Sequence, residues 1–249
     1  ALSEASSRLA SGIGAASVDS TVVPAVVDVP AALNLGILLV FPIITGISMT
    51  NALSLGGAEL ARDNDNGMRV KMRVMGLRSY FASLMAADLA LLVPVFVLAT
   101  AASAAAGTAV MGDSRWYGFL LGSLVSIMPI AMTYYVVASI SRMSEAAASA
   151  VLPITGAVLG MVVYMMTAAV GWSGKPEDVQ VSERLFGILA FDPLANYFFL
   201  LDRLARLETV VTKPTSDAFT AGQVLGWDTG IGYNLMWCAI ATVSLGALL

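Results

Sequence analysis

Long uncharged apolar stretches alternate with shorter polar ones along this chain, and the apolar stretches are of membrane-crossing length. About 20 mostly apolar residues are needed to cover the ~30 Å hydrocarbon layer of a bilayer. Five segments meet that requirement, at about 31–57, 79–106, 116–140, 146–171 and 229–249. Pro30 suits a helix start for the first, which only Asn34, Asn51 and hydroxyl groups interrupt. The second and third are joined by GTAVMGDSR and the third and fourth by SRMSE, connections short enough to predict antiparallel hairpins. The segment 172–228 reads differently. It opens on KPEDVQVSER and later holds KPTSD, yet encloses the apolar block RLFGILAFDPLANYFFLLDRL. Pro193 would break a single crossing helix there, and Asp192 and Asp202 would be costly in lipid. Two short helices that enter and return fit better than a sixth crossing.

Between the first two spans, residues 59–78 read ELARDNDNGMRVKMRVMGLR and carry five basic and three acidic side chains. Such an island belongs in water. Wound at 3.6 residues per turn, Met68, Met72 and Met75 form one apolar stripe, and Val70, Val74 and Leu77 a second on nearly the opposite side. Arg69 and Arg73 lie in one gap between the stripes, Lys71 and Arg78 in the other. A solvated charged loop is the plain reading; the two stripes favour a short interfacial helix that touches something on both faces.

Composition fixes the class. The chain is 58% hydrophobic and 12% charged, with a mean hydropathy of +0.82, where soluble domains carry about 25% charged residues. An integral membrane protein follows, all-α and polytopic. The net charge of −4 comes without a clustered basic patch outside the island, which argues against nucleic-acid binding. With no histidine and one cysteine, Cys238, inside an apolar run, the chain has no His or Cys metal site of its own and no disulfide framework. Residues 1–30 lack the layout of a signal peptide, and SLGALL stops within an apolar run, so both ends read as cuts in a longer protein.

Basic residues in short loops set orientation. The island carries Arg62, Arg69, Lys71, Arg73 and Arg78, and the turn on the same side adds Arg142, against Arg115 alone in the opposite short loop. This predicts a cytoplasmic island at 59–78, with 1–30 and 172–228 extracellular or lumenal.

Chemistry-bearing residues are few. Asp88, about ten residues into the second span, is either a proton or cation relay or a carboxylate that hydrogen-bonds a neighbouring helix and fixes its packing. Gly118/Gly122 and Gly156/Gly160 have the spacing that lets helices approach closely. The Met-rich run VLGMVVYMMTAAV could line an adaptable cavity, though bundle core or lipid contact explains it as well. No phosphate-binding loop, HExxH or GxSxG pattern occurs, and no catalytic or metal residues are expected.

Three segments in order resemble the permease half of the subfamily A ABC transporters, the large lipid exporters. The first holds Glu59, Arg62, Lys71, Met72, Gly76 and Leu77, then Ser79-Tyr80-Phe81 and Asp88. The second is LAFDPLANYFFLL around Pro193, where that family has a phenylalanine-proline segment entering outer re-entrant helices; here Asp192 intervenes and the family's Leu-Gly-Arg-Gly-Leu run is missing. The third is GWDTGIGYNLMW, with Trp227, Asp228 and Asn234 beside the last span. The resemblance covers about 31–249 and implies an ABC-2 type exporter permease, five of whose spans and whose short outer re-entrant helices lie here. Residues 1–30 would end an outer domain. It also implies that 59–78 couples to an ATP-binding domain beyond this chain, which would bind ATP and magnesium, with Glu59, Arg62, Arg69, Lys71, Met72, Arg73, Gly76 and Leu77 in the coupling segment. A second permease half and a lipid-like substrate would be the other partners. The rival readings are an ion- or proton-coupled secondary transporter using Asp88, and a non-transporting membrane scaffold.

Overall fold

The computed structural model describes residues 29–66, 74, 76–105, 115–171, 176–205 and 221–249. Its compact unit is 38–249, and 1–37 form a separate one. Among the described residues all regular structure is helical: α1 (Val29–Asp65), α2 (Leu77–Ala105), α3 (Arg115–Ser141), α4 (Glu145–Gly171), α5 (Pro176–Leu189), α6 (Pro193–Ala205), α7 (Ala221–Val224) and α8 (Ile231–Leu248). Five are long and apolar enough to cross a membrane: Val40–Asp65 of α1, Ser79–Ala102 of α2, and α3, α4 and α8. The helices that hold them begin and end within a few residues of the five apolar segments, except at the end of α1. That helix runs past Gly57 through the first charged residues of the island to Asp65, about two further turns. Gly56 and Gly57 do not end it because both are buried against side chains of other helices. A Cβ on Gly56 would meet Tyr135, and one on Gly57 would meet Leu152 and Tyr134.

Each of α1 to α4 carries one internal proline, at Pro42, Pro94, Pro129 and Pro153. Such breaks in the backbone ladder are tolerated where neighbouring helices and hydroxyl side chains re-satisfy the freed groups.

Between α4 and α8 the chain forms the hairpin α5–α6. The fourteen residues of α5 and thirteen of α6 span about 20 Å each at 1.5 Å per residue, short of a bilayer. The break falls at Asp192-Pro193 for a local reason. Asp192 is the N-cap of α6, its Oδ1 accepting the Leu194 amide at 3.2 Å and its carbonyl the Asn196 amide at 2.8 Å, and Pro193 takes the first helical position, where its missing N–H costs nothing. Residues Leu194 to Ala205 are all buried. α6 packs on α3, α4, α5 and α8.

The direction of the hairpin can be read from its neighbours. Along α3, Gly118 lies against Leu204 and Gly122 against Leu200, so the end of α6 returns to the level where α3 begins. Along α4, Gly160 lies against Phe198 and the Leu194 backbone, while Tyr164 reaches Asp202. At the other end of the hairpin, the Ser182 hydroxyl of α5 bonds the Thr167 carbonyl near the end of α4. Both feet of the hairpin therefore lie at the end of the bundle where α4 finishes and α3 starts, and its tip reaches the middle. The two Gly-x-x-x-Gly pairs act here by receiving the large side chains of α6 and, at Gly156, Tyr134.

Candidate functional site

Polar clusters mark the two ends of the bundle. At the end where α1 and α3 finish, the Asp65 carboxylate accepts the Glu145 amide at 3.0 Å, capping α4 from outside, and Ser144 accepts the Ala147 amide at 3.3 Å. The Tyr80 hydroxyl donates to Asp63 at 2.6 Å. These contacts bring the start of the island beside the SRMSE turn, in which Arg142 takes a left-handed conformation with φ 48°.

Deeper in, Tyr135 of α3 donates its hydroxyl to the half-buried Asp88 of α2. Gly56 of α1 closes over the pair, since a Cβ there would collide with both side chains. Sequence reasoning offered Asp88 no partner because Tyr135 is 47 residues away. Beside the pair, an apolar groove of about 380 Å³ opens between α2, α3 and the end of α8, lined by Phe81, Met85, Leu89, Met128, Met132 and Tyr135 among others.

The hairpin end holds a larger network that the sequence did not reveal. Arg203 of α6 is buried, and its two terminal nitrogens are bonded to three partners while its Nε has none. It donates to the Gly230 carbonyl at 2.8 Å and to the Asn234 side chain, and pairs with Glu183 of α5 at 2.9 Å. Asn234 and Asn196 bond each other reciprocally across α8 and α6, the Asn196 amide also reaching the Asn234 carbonyl at 3.0 Å and the Cys238 sulfur at 3.2 Å. One residue along, Asp202 accepts from Tyr164 at 2.8 Å, and Ser123 of α3 bonds Tyr197 at 2.9 Å. Buried charges are costly unless paired and hydrogen-bonded; here Arg203 has its ion pair with Glu183 and Asp202 its hydrogen bond from Tyr164. At the hairpin tip, burial pushes the Asp192 carboxyl above the usual carboxylate range, while the Leu194 and Ala195 amides pull it partway back.

The sequence-predicted residues fall as follows. Glu59 and Arg62 are exposed on the last turns of α1, and Gly76, with φ 83°, stands just before Leu77 opens α2. Arg69, Lys71, Met72 and Arg73, with most of the two apolar stripes, lie outside the described residues. Trp227 and Asp228 are exposed in the turn before α8, whereas Asn234 is buried inside that helix. Arg115, counted above as a loop cation, is the buried first residue of α3. Among the described residues no group of carboxylate, histidine or cysteine side chains could hold a metal ion.

Fold and hydropathy together define an all-helical protein with five helices long and apolar enough to span a membrane, consistent with a multi-pass membrane protein. No family model, no curated protein and no solved structure matches the chain.

Proposed function

We propose that this chain is the membrane-spanning part of an ATP-driven ABC exporter of the ABC-2 type, moving a lipid or another amphipathic substrate. The observation that carries the reading is the α5–α6 hairpin. It enters and leaves at one end of the bundle, between the fourth and last long helices, where the resemblance to subfamily A permeases calls for outer re-entrant helices. In this reading 172–228 faces outward or into a lumen, and the island end is cytoplasmic. An ATP-binding domain outside this chain, with ATP and magnesium, docks on 59–78, and a second permease half completes the substrate path.

Coupling is the testable part. Replacing Met72 and Leu77 by Asp in the full transporter places a charge in each apolar stripe. Transport and substrate-stimulated ATP hydrolysis should both fall to near background while the protein still inserts. Survival of both activities would contradict the coupling role.

One observation favours a second reading. Asp88 and Tyr135 place a hydrogen-bonded carboxylate beside an apolar groove, an arrangement that can hold and release a proton within a membrane span. A proton-coupled carrier would lose pH-gradient-driven transport in Asp88→Asn. The exporter reading predicts no dependence on that gradient.

A further inference from the structure

The turn before α8 lines a cleft to which neither reading gives a role. It has a volume of about 480 Å³ and is bounded by Glu183 and Gly187 of α5, Arg203 of α6, and Trp227, Asp228, Thr229, Gly230 and Tyr233, a size within the ~300–1,000 Å³ range of small-ligand sites. Its walls are unlike the rest of the bundle. Trp227 is 64% exposed, although a large indole is usually covered. Asp228 is exposed and makes no hydrogen bond or ion pair among the described residues. Glu183 is 45% exposed and gives one carboxylate oxygen to Arg203, leaving the other open. Tyr233 is held in place by its hydroxyl, which donates to the Gly187 carbonyl at 3.0 Å, and by an edge contact with Trp237.

The charges decide the ligand. Arg203 is paired with Glu183 through one terminal nitrogen and bonded to Gly230 and Asn234 through the other, and its one unpartnered donor, Nε, is buried, so it has little left to offer an anion in the cleft. The cleft keeps one net negative charge, from Asp228, beside two aromatic rings. Rings with a carboxylate at their edge recognise an alkylated ammonium group, which the ring face attracts and which sheds its water easily. The cleft also opens at the end of the membrane-crossing helices, where exposed tryptophan meets lipid headgroups.

We propose that this cleft binds an alkylammonium group, with Trp227 and Tyr233 as its walls and Asp228 as its counter-charge. The group is either the head of a membrane lipid or a free ammonium solute. The proposal does not depend on which energy source drives the protein.

The full protein in nanodiscs of anionic phosphatidylglycerol would be titrated with tetramethylammonium chloride, at constant ionic strength against sodium chloride, while tryptophan emission is followed. A saturable shift is expected, weakened roughly tenfold in Asp228→Asn, where a charge-assisted contact is lost, and absent in Trp227→Phe. Asp228 is exposed and unbonded, so its substitution should leave folding intact, and an unchanged melting temperature checks this. Repeating the titration in phosphatidylcholine nanodiscs separates the sources. A lipid headgroup already in the cleft would remove the response to added tetramethylammonium, whereas a site for free solute would respond equally in both. No saturable shift in phosphatidylglycerol, or the same shift in Asp228→Asn, would overturn the proposal.

Discussion

Asp192 stands at the tip of the hairpin, where its side chain does two opposed things. It caps α6, which favours the carboxylate, and it is largely removed from water, which favours the acid; burial dominates, so its carboxyl is raised. A raised carboxyl binds more protons in the folded than in the unfolded chain, so its contribution is unfavourable above the unfolded value near ~3.9 and vanishes below it. Asparagine keeps the cap and removes the charge. Asp192→Asn should therefore raise the melting temperature at pH 7. The gain should disappear below about pH 4 in thermal unfolding followed by circular dichroism. Tyr164 gives a second test. Its hydroxyl bonds the buried Asp202, and Tyr164→Phe, which leaves that carboxylate with one donor fewer, should cost about 1–3 kcal/mol in denaturant unfolding. The sequence marked Asp192 and Asp202 as costly in lipid. It could not show their partners, because Tyr164 is 38 residues from Asp202 and Glu183 is 20 from Arg203, and side-chain pairing across helices leaves no periodic trace.

α6 is the element on which the bundle closes. Phe198 fills a slot made by Gly46 of α1 and Gly160 of α4, each of which would clash with it if it had a side chain, and its ring stacks near Tyr164 at 6.0 Å between centroids. Truncating it, Phe198→Ala, should cost ~3–5 kcal/mol and expose the amides of α6 to hydrogen exchange before those of α3. Protection of α6 equal to that of the unaltered protein would show that the slot is not its anchor. At this scale the sequence was informative wherever the physics is local. Apolar runs of spanning length marked the five long helices, and Asp-Pro marked the break between α5 and α6. The end of α1 was misplaced because paired glycines followed by charges resemble a helix stop, when tertiary packing against Tyr134, Tyr135 and Leu152 holds the helix through them.

For the whole bundle, the geometry requires the hairpin feet to share one face, opposite to the end of α3. Cys238 is fully buried, so added cysteines would be read against a quiet background. Cysteines replacing the exposed Glu177 and Gly222 should label from one side of the membrane, and those replacing the exposed Asn66 and Arg142 from the other. Labelling of residues 177 and 222 from opposite sides would make the hairpin a crossing. The energy source is the claim on which the functional account stands. The most direct measurement is substrate translocation by the full protein in sealed vesicles, with ATP and a pH gradient imposed separately. The exporter account predicts translocation that requires ATP hydrolysis and ignores the gradient. Translocation without ATP, driven by the gradient and abolished by Asp88→Asn, would contradict it.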